Sequence, residues 1–162
     1  MKLILLSPTD QKFNLATHKA VLNAADVAAL GASTTGTKAI VPESGTFPIG
    51  TTARFCHLRI TSAWDASDAS INSLLIEIGD GGDTDRLLAQ TELAEDGTEV
   101  DFKTGSAVSQ PYTYLATDTI DALFTVSGGG SPLLSEINAG EVEIYLYIHT
   151  PSLDMGGVDG PI

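Results

Sequence analysis

Three aspartates in six residues, Asp80, Asp83 and Asp85 of GDGGDTDRL, are the densest group of potential ligands in the chain. Carboxylates around flexible glycines can wrap Ca²⁺, which takes six to eight oxygens. The spacing is not that of an EF-hand loop, and the glycine-aspartate repeat of calcium β-rolls works by stacking copies, of which there is one here. A tight turn whose aspartates accept hydrogen bonds from nearby backbone N–H groups is the favoured reading, with Arg86 pairing to the cluster, and Ca²⁺ is the alternative. With Glu77, the same carboxylates are the acids to test if the chain were a hydrolase.

The remaining chemistry-bearing residues are scattered. His18, His57 and His149 show no metal-ligand spacing, and G-x-S-x-G, H-E-x-x-H, C-x-x-C and the phosphate-binding G-x-x-x-x-G-K-[ST] are all missing. Cys56 and His57 are adjacent in an extended run, so alternation places them on opposite faces and Cys56 reads as a small core residue beside Leu58 and Ile60. Trp64, Tyr112, Tyr114, Tyr145 and Tyr147 can form a sugar-stacking platform, or can pack within the fold and across a subunit interface, the preferred reading. No enzyme activity or cofactor is expected.

Strands must position these groups. In EVEIYLYIHT at 141–150, Val142, Ile144, Leu146 and Ile148 alternate with Glu141, Glu143, Tyr145, Tyr147 and His149, the period-two pattern of a strand with one buried face. Similar runs fall at 37–41, 52–63, 74–78, 86–89, 98–103, 112–116 and 120–127, separated by Gly, Pro, Ser and Asp turn signals. About eight short strands with little helix predict an all-β antiparallel sandwich, with the strand count of a jelly roll. Residues 1–31 read as an N-terminal attachment arm carrying a short helix capped by Asn23, 32–150 as the β-sandwich, and 151–162 as a flexible tail.

The chain has 162 residues and a formal charge of −13, unevenly placed. Residues 1–60 carry six basic and three acidic groups, net +3, and residues 61–162 carry two and eighteen, net −16. That balance argues against a nucleic-acid surface. The opening MKLILLS is too short for a secretory signal, and no stretch is apolar enough to span a membrane, so synthesis in the cytoplasm is expected.

The order of NAADVAALG, RITSAWD, DTDRLLAQTEL, ATDTIDALFTVSGGG and AGEVEIYLYI, over roughly residues 17–150, resembles small virion proteins of tailed bacteriophages, most of all the capsid decoration, or cement, proteins. The resemblance implies a jelly-roll or similar sandwich sitting as a homotrimer on the capsid surface of the virion, bound to the major capsid protein and stabilising the shell. Lys2, Lys12, His18 and Lys19 are then the expected capsid-facing foot. Tyr112, Tyr114, Tyr145, Tyr147 and His149 are the expected oligomer interface. A carbohydrate-binding tip or fibre-head domain is the alternative.

Overall fold

A computed structural model of the chain describes residues 3–9, 16–42, 45–93, 102–103 and 111–151. Among these, ten strands form two antiparallel sheets: β1 Ile4–Leu5, β2 His18–Asn23, β3 Thr35–Ile40, β4 Thr52–Ala66, β5 Ile71–Asp80, β6 Asp83–Glu92, β7 Phe102–Lys103, β8 Tyr112–Thr113, β9 Ile120–Gly128 and β10 Ile137–His149. The larger sheet runs β1-β2-β10-β4-β7, with β8 also on β4; the smaller runs β3-β9-β5-β6. The architecture is an all-β sandwich.

Four pairings explain how the chain reaches this order. The β5–β6 hairpin is the centre of a ribbon in which β4 pairs with β7, β3 with β9 and β2 with β10. The ribbon closes on itself through β10–β4 and β9–β5, so the last two long strands lie in the middle of the two sheets. Alternation then supplies the core. Val142, Ile144, Leu146 and Ile148 of β10, with Leu58 and Ile60 of β4, face Ile76 and Ile78 of β5 and Ile120, Ala122, Phe124 and Val126 of β9, all buried.

The described residues between 16 and 31 differ from the expected separate arm. His18–Asn23 is an interior strand between β1 and β10, with Ala20 opposite Ile144 and Leu22 opposite Val142, both fully buried. Six residues with one polar end give little periodicity, and the pairing is made with residues more than a hundred positions away. Thr17 extends it: its N–H donates to Leu146 O at 2.9 Å, and its Oγ1 accepts the Ile148 N–H at 2.8 Å.

The short helix α1, Ala24–Ala28, follows directly. Asn23 Oδ1 accepts the Asp26 N–H at 3.0 Å and Asp26 Oδ2 accepts the Asn23 N–H at 3.4 Å, a reciprocal cap. Asp26 also pairs with Lys38 of β3 at 3.0 Å, tying the helix to the smaller sheet. Of the expected strand at 98–103, only 102–103 is described, and the tail beyond Pro151 lies outside the described residues.

Candidate functional sites on a sheet face and a hairpin

On β4 the regular alternation breaks. Tyr145 of β10 lies opposite His57, but the next residue, Leu146, lies opposite Phe55, so Cys56 is an extra residue in a β-bulge. Phe55 and Leu58 are both buried inward, three positions apart, while Cys56 and His57 are half-buried. Cys56 packs against Tyr145, Leu6 and Ala16 in a small cluster apart from the main core. This corrects both expectations for Cys56: it is not beside Leu58 and Ile60, and it shares its side of the sheet with His57. A one-residue insertion shifts the phase of a strand, and nothing in RFCHLRI marks where.

The outer face of the large sheet is therefore built from Arg54, Cys56, His57 and Arg59 of β4, Glu143, Tyr145 and Tyr147 of β10, and Lys19 of β2. The His57 ring stacks on Tyr145 at 4.3 Å between centroids and 17° between planes. The Tyr145 hydroxyl donates to Glu143 Oε2 at 2.7 Å, and Lys19 Nζ donates to Glu143 Oε1 at 2.6 Å. Arg54 lies over the Tyr147 ring, 5.6 Å from its centroid, at an exposed position.

Electrostatics follows from this packing. Burial pushes the Tyr145 hydroxyl up to about 12, helped by its bond to the Glu143 carboxylate. Burial also acts to raise Glu143, but hydrogen bonds from Lys19 and Tyr145 and the charges of Lys19 and Arg59 outweigh it, and the carboxyl ends below its ordinary value. Cys56 is raised, by burial first and against the pull of Arg54, which leaves it a poor nucleophile at neutral pH.

His57 and His18 are both lowered by burial, His57 against the opposing charge of Glu143. An unfolded histidine takes up its proton near pH 6.5, and these two do so only at lower pH when folded. The unfolded state thus binds more protons in that window, and stability falls as the pH drops from 7 through it. The urea midpoint is expected to be lower at pH 5.5 than at pH 7, with the difference reduced in His57→Gln and in His18→Gln; equal midpoints in the parent protein would contradict the burial of both rings.

The aspartate cluster is engaged rather than open. Asp80 is 3% exposed, and its Oδ1 accepts the N–H groups of Gly82 and Asp83, each at 2.9 Å. Its Oδ2 takes Arg86 Nε at 2.5 Å, and Arg86 also reaches Asp83 at 3.7 Å. The guanidinium then lies 4.1 Å from the Tyr112 ring centroid, and Tyr112 meets Tyr114 edge-on at 5.0 Å. The chain Asp80–Arg86–Tyr112–Tyr114 so runs from the smaller sheet to β8 of the larger one and joins the two layers at one end. Among the described residues, no group of three His, Cys, Asp or Glu side chains is arranged to hold a metal ion.

Asp83, Asp85 and Glu77 remain close neighbours. Asp85 is raised above its ordinary value, first by its hydrogen bond to Asp83, then by burial and by the charges of Asp83 and Glu77. Tyr114 is raised above the usual tyrosine range by burial and by the charges of Asp80 and Asp118, and its hydroxyl is buried without a hydrogen-bond partner among the described residues.

The residues singled out for the foot and the interface separate. Lys2 and Lys12 lie outside the described residues. Lys19 points to the outer face and is paired with Glu143, whereas His18 alternates with Ala20 and Leu22 on the opposite side, half-buried and bonded to Thr17 at 2.8 Å. Of the interface set, Tyr114 and Tyr145 are 2% and 8% exposed and Tyr112 is half-covered under Arg86, leaving Tyr147 and His149 accessible. With Trp64 fully buried as well, a row of open rings for sugar stacking does not form. Arg54 and Arg59, which sequence reasoning passed over, are the exposed cations of the same face; their positive charge amid an acidic chain was the available signal.

No protein-family model matches the sequence, and searches of curated proteins and of solved structures return no match.

Proposed function

We propose that the protein is a structural component of a tailed-phage virion that binds the outside of the head as an oligomer, in the manner of a decoration protein, with the major capsid protein as its partner. In this reading it does no chemistry. Its work is to bind the assembled lattice more tightly than free subunits, which stabilises the shell by mass action, and a homotrimer multiplies each weak contact. The ribbon pairing β2–β10, β3–β9, β4–β7 and β5–β6, rolled shut through β10–β4 and β9–β5, supports the jelly-roll form of the sandwich.

The observation that carries the reading is the edge strand β1. Ile4 and Leu5 are 45% and 67% exposed, and among the described strands β1 pairs on one side alone, with β2. An apolar edge with open backbone groups is a ready surface for another chain. We assign it as the capsid-facing foot, close to the end of the chain where the cationic foot was expected. Truncating residues 1–20 would not test this cleanly, since it removes half of β2 and opens β10. The double variant Ile4→Asp/Leu5→Asp is the better probe. It is expected to keep the parent's circular dichroism and oligomeric mass but to lose co-sedimentation with heads of the encoding phage. Retained co-sedimentation would overturn the foot, and failure of the parent protein to bind heads would overturn the whole reading.

A further inference from the structure

Lys19, Lys38 and Arg86 each hold a carboxylate of their own chain, Glu143, Asp26 and Asp80, at 2.6, 3.0 and 2.5 Å. Arg54 is different: it is exposed, and its guanidinium rests on the ring of Tyr147, itself 37% exposed. A guanidinium laid on an aromatic face is held in place while its edge stays open to a carboxylate, and Arg and Tyr are the residues most enriched where interfaces gain their affinity. Arg59 and His149 are exposed on the same strand pair.

The complementary surface is at the β5–β6 turn of the smaller sheet. At the β5–β6 turn, Gly81 and Gly82 are exposed, the Asp83 side chain is 43% exposed, and Asp85 is partly exposed. Asp83 shares Arg86 with Asp80 at the long distance of 3.7 Å, and Asp85 has two acidic neighbours. Like charges at this spacing repel, and an arginine brought from outside relieves the repulsion.

We propose that the Arg54–Tyr147 face of one copy docks on the acidic β5–β6 hairpin of a second copy. The occupant is another copy because the two patches of one chain are complementary in charge, with Arg54 and Arg59 exposed on the one and Asp83 and Asp85 reaching solvent on the other. The patches are different, so where each engages a different copy the contact is head-to-tail. It closes into a ring when the rotation between copies permits and otherwise continues as an open chain. The inference rests on the oligomeric part of the preceding reading, but phage heads play no part in its test, so the two fail separately.

The test is sedimentation velocity of the full chain in low and high salt, with charge reversals on each patch. Self-association of the parent protein is expected at low salt and is weakened by roughly tenfold or more at high salt, as for contacts built on exposed ion pairs. Arg54→Glu alone and Asp83→Lys/Asp85→Lys alone should each lower the association constant about tenfold or more. An equimolar mixture of these two variants should associate again, because each then presents the partner its counterpart needs. Asp85→Lys alone serves where the Asp83 change disturbs the turn, with circular dichroism checking each fold. A parent protein that stays monomeric in low salt, reversals without effect, or a mixture that fails to recover would overturn the proposal.

Discussion

Gly140→Ala is expected to destabilise the protein by roughly 3 kcal/mol, the sum of a backbone strained for any residue with a side chain and of overpacking in a closed core. Gly140 sits at φ +125°, where L-residues rarely go, within β10 at the point where the register against β4 shifts between Ala139 and Glu141. A Cβ placed there would overlap the indole of Trp64, which is fully buried. The ring has no room to retreat, because it belongs to the same core as Leu58, Ile60 and Val142. Gly129 is the control: a Cβ there meets nothing within 4 Å, and Gly129→Ala should change the urea midpoint little. Equal midpoints for the two variants would mean that the bulge and the indole are not packed as described.

Asp80→Ala is the second large effect, about 3 kcal/mol, since it removes at once the acceptor for two backbone N–H groups and the partner of Arg86. Arg86 is 22% exposed, so water takes up part of the loss, and a fully buried pair would cost more. Asp80→Asn separates the contributions. It keeps an oxygen for the Gly82 and Asp83 N–H groups but gives up the charge, and about half of the loss is expected. The same comparison reports on the join between layers: without Asp80 to hold it, Arg86 is free to leave Tyr112, and the quenching and exposure of the tyrosines should change together with stability. An Asp80→Ala protein as stable as the parent would show that the turn, and not the carboxylate, sets the hairpin.

Legibility from sequence tracked how local each cause was. In β9 and β10, the core-facing residues from Ile120 to Val126 and from Val142 to Ile148 are the ones that alternation names, and Tyr145 alone among their outward neighbours is buried as well. The cap at Asn23 is equally local, two residues bonding across three positions. By contrast, the bulge at Cys56 depends on how β10 meets β4, and no residue in the run announces it. The strand character of His18–Asn23 comes from β10 as well. Tyr145 stands on the polar side of its strand by pattern, yet it is covered, because Leu6 and Ala16 pack over it from another part of the chain. For the aspartates, the turn with Arg86 paired to it was legible because its parts lie within seven residues, and the structure places Arg86 on Asp80. Chemistry was legible as residue types, but the partner of each group was a tertiary fact.

Under the proposed function this sandwich works through its surfaces, adhering to a larger shell and to its own copies. On the proposal that a tailed phage encodes the chain, electron cryo-microscopy of purified phage particles is the decisive measurement. Density for the two-layered fold is expected on the outer surface of the head, in clustered copies, with the Ile4–Leu5 edge toward the lattice. Heads bare of that density, with the protein recovered only in the soluble fraction, would contradict it.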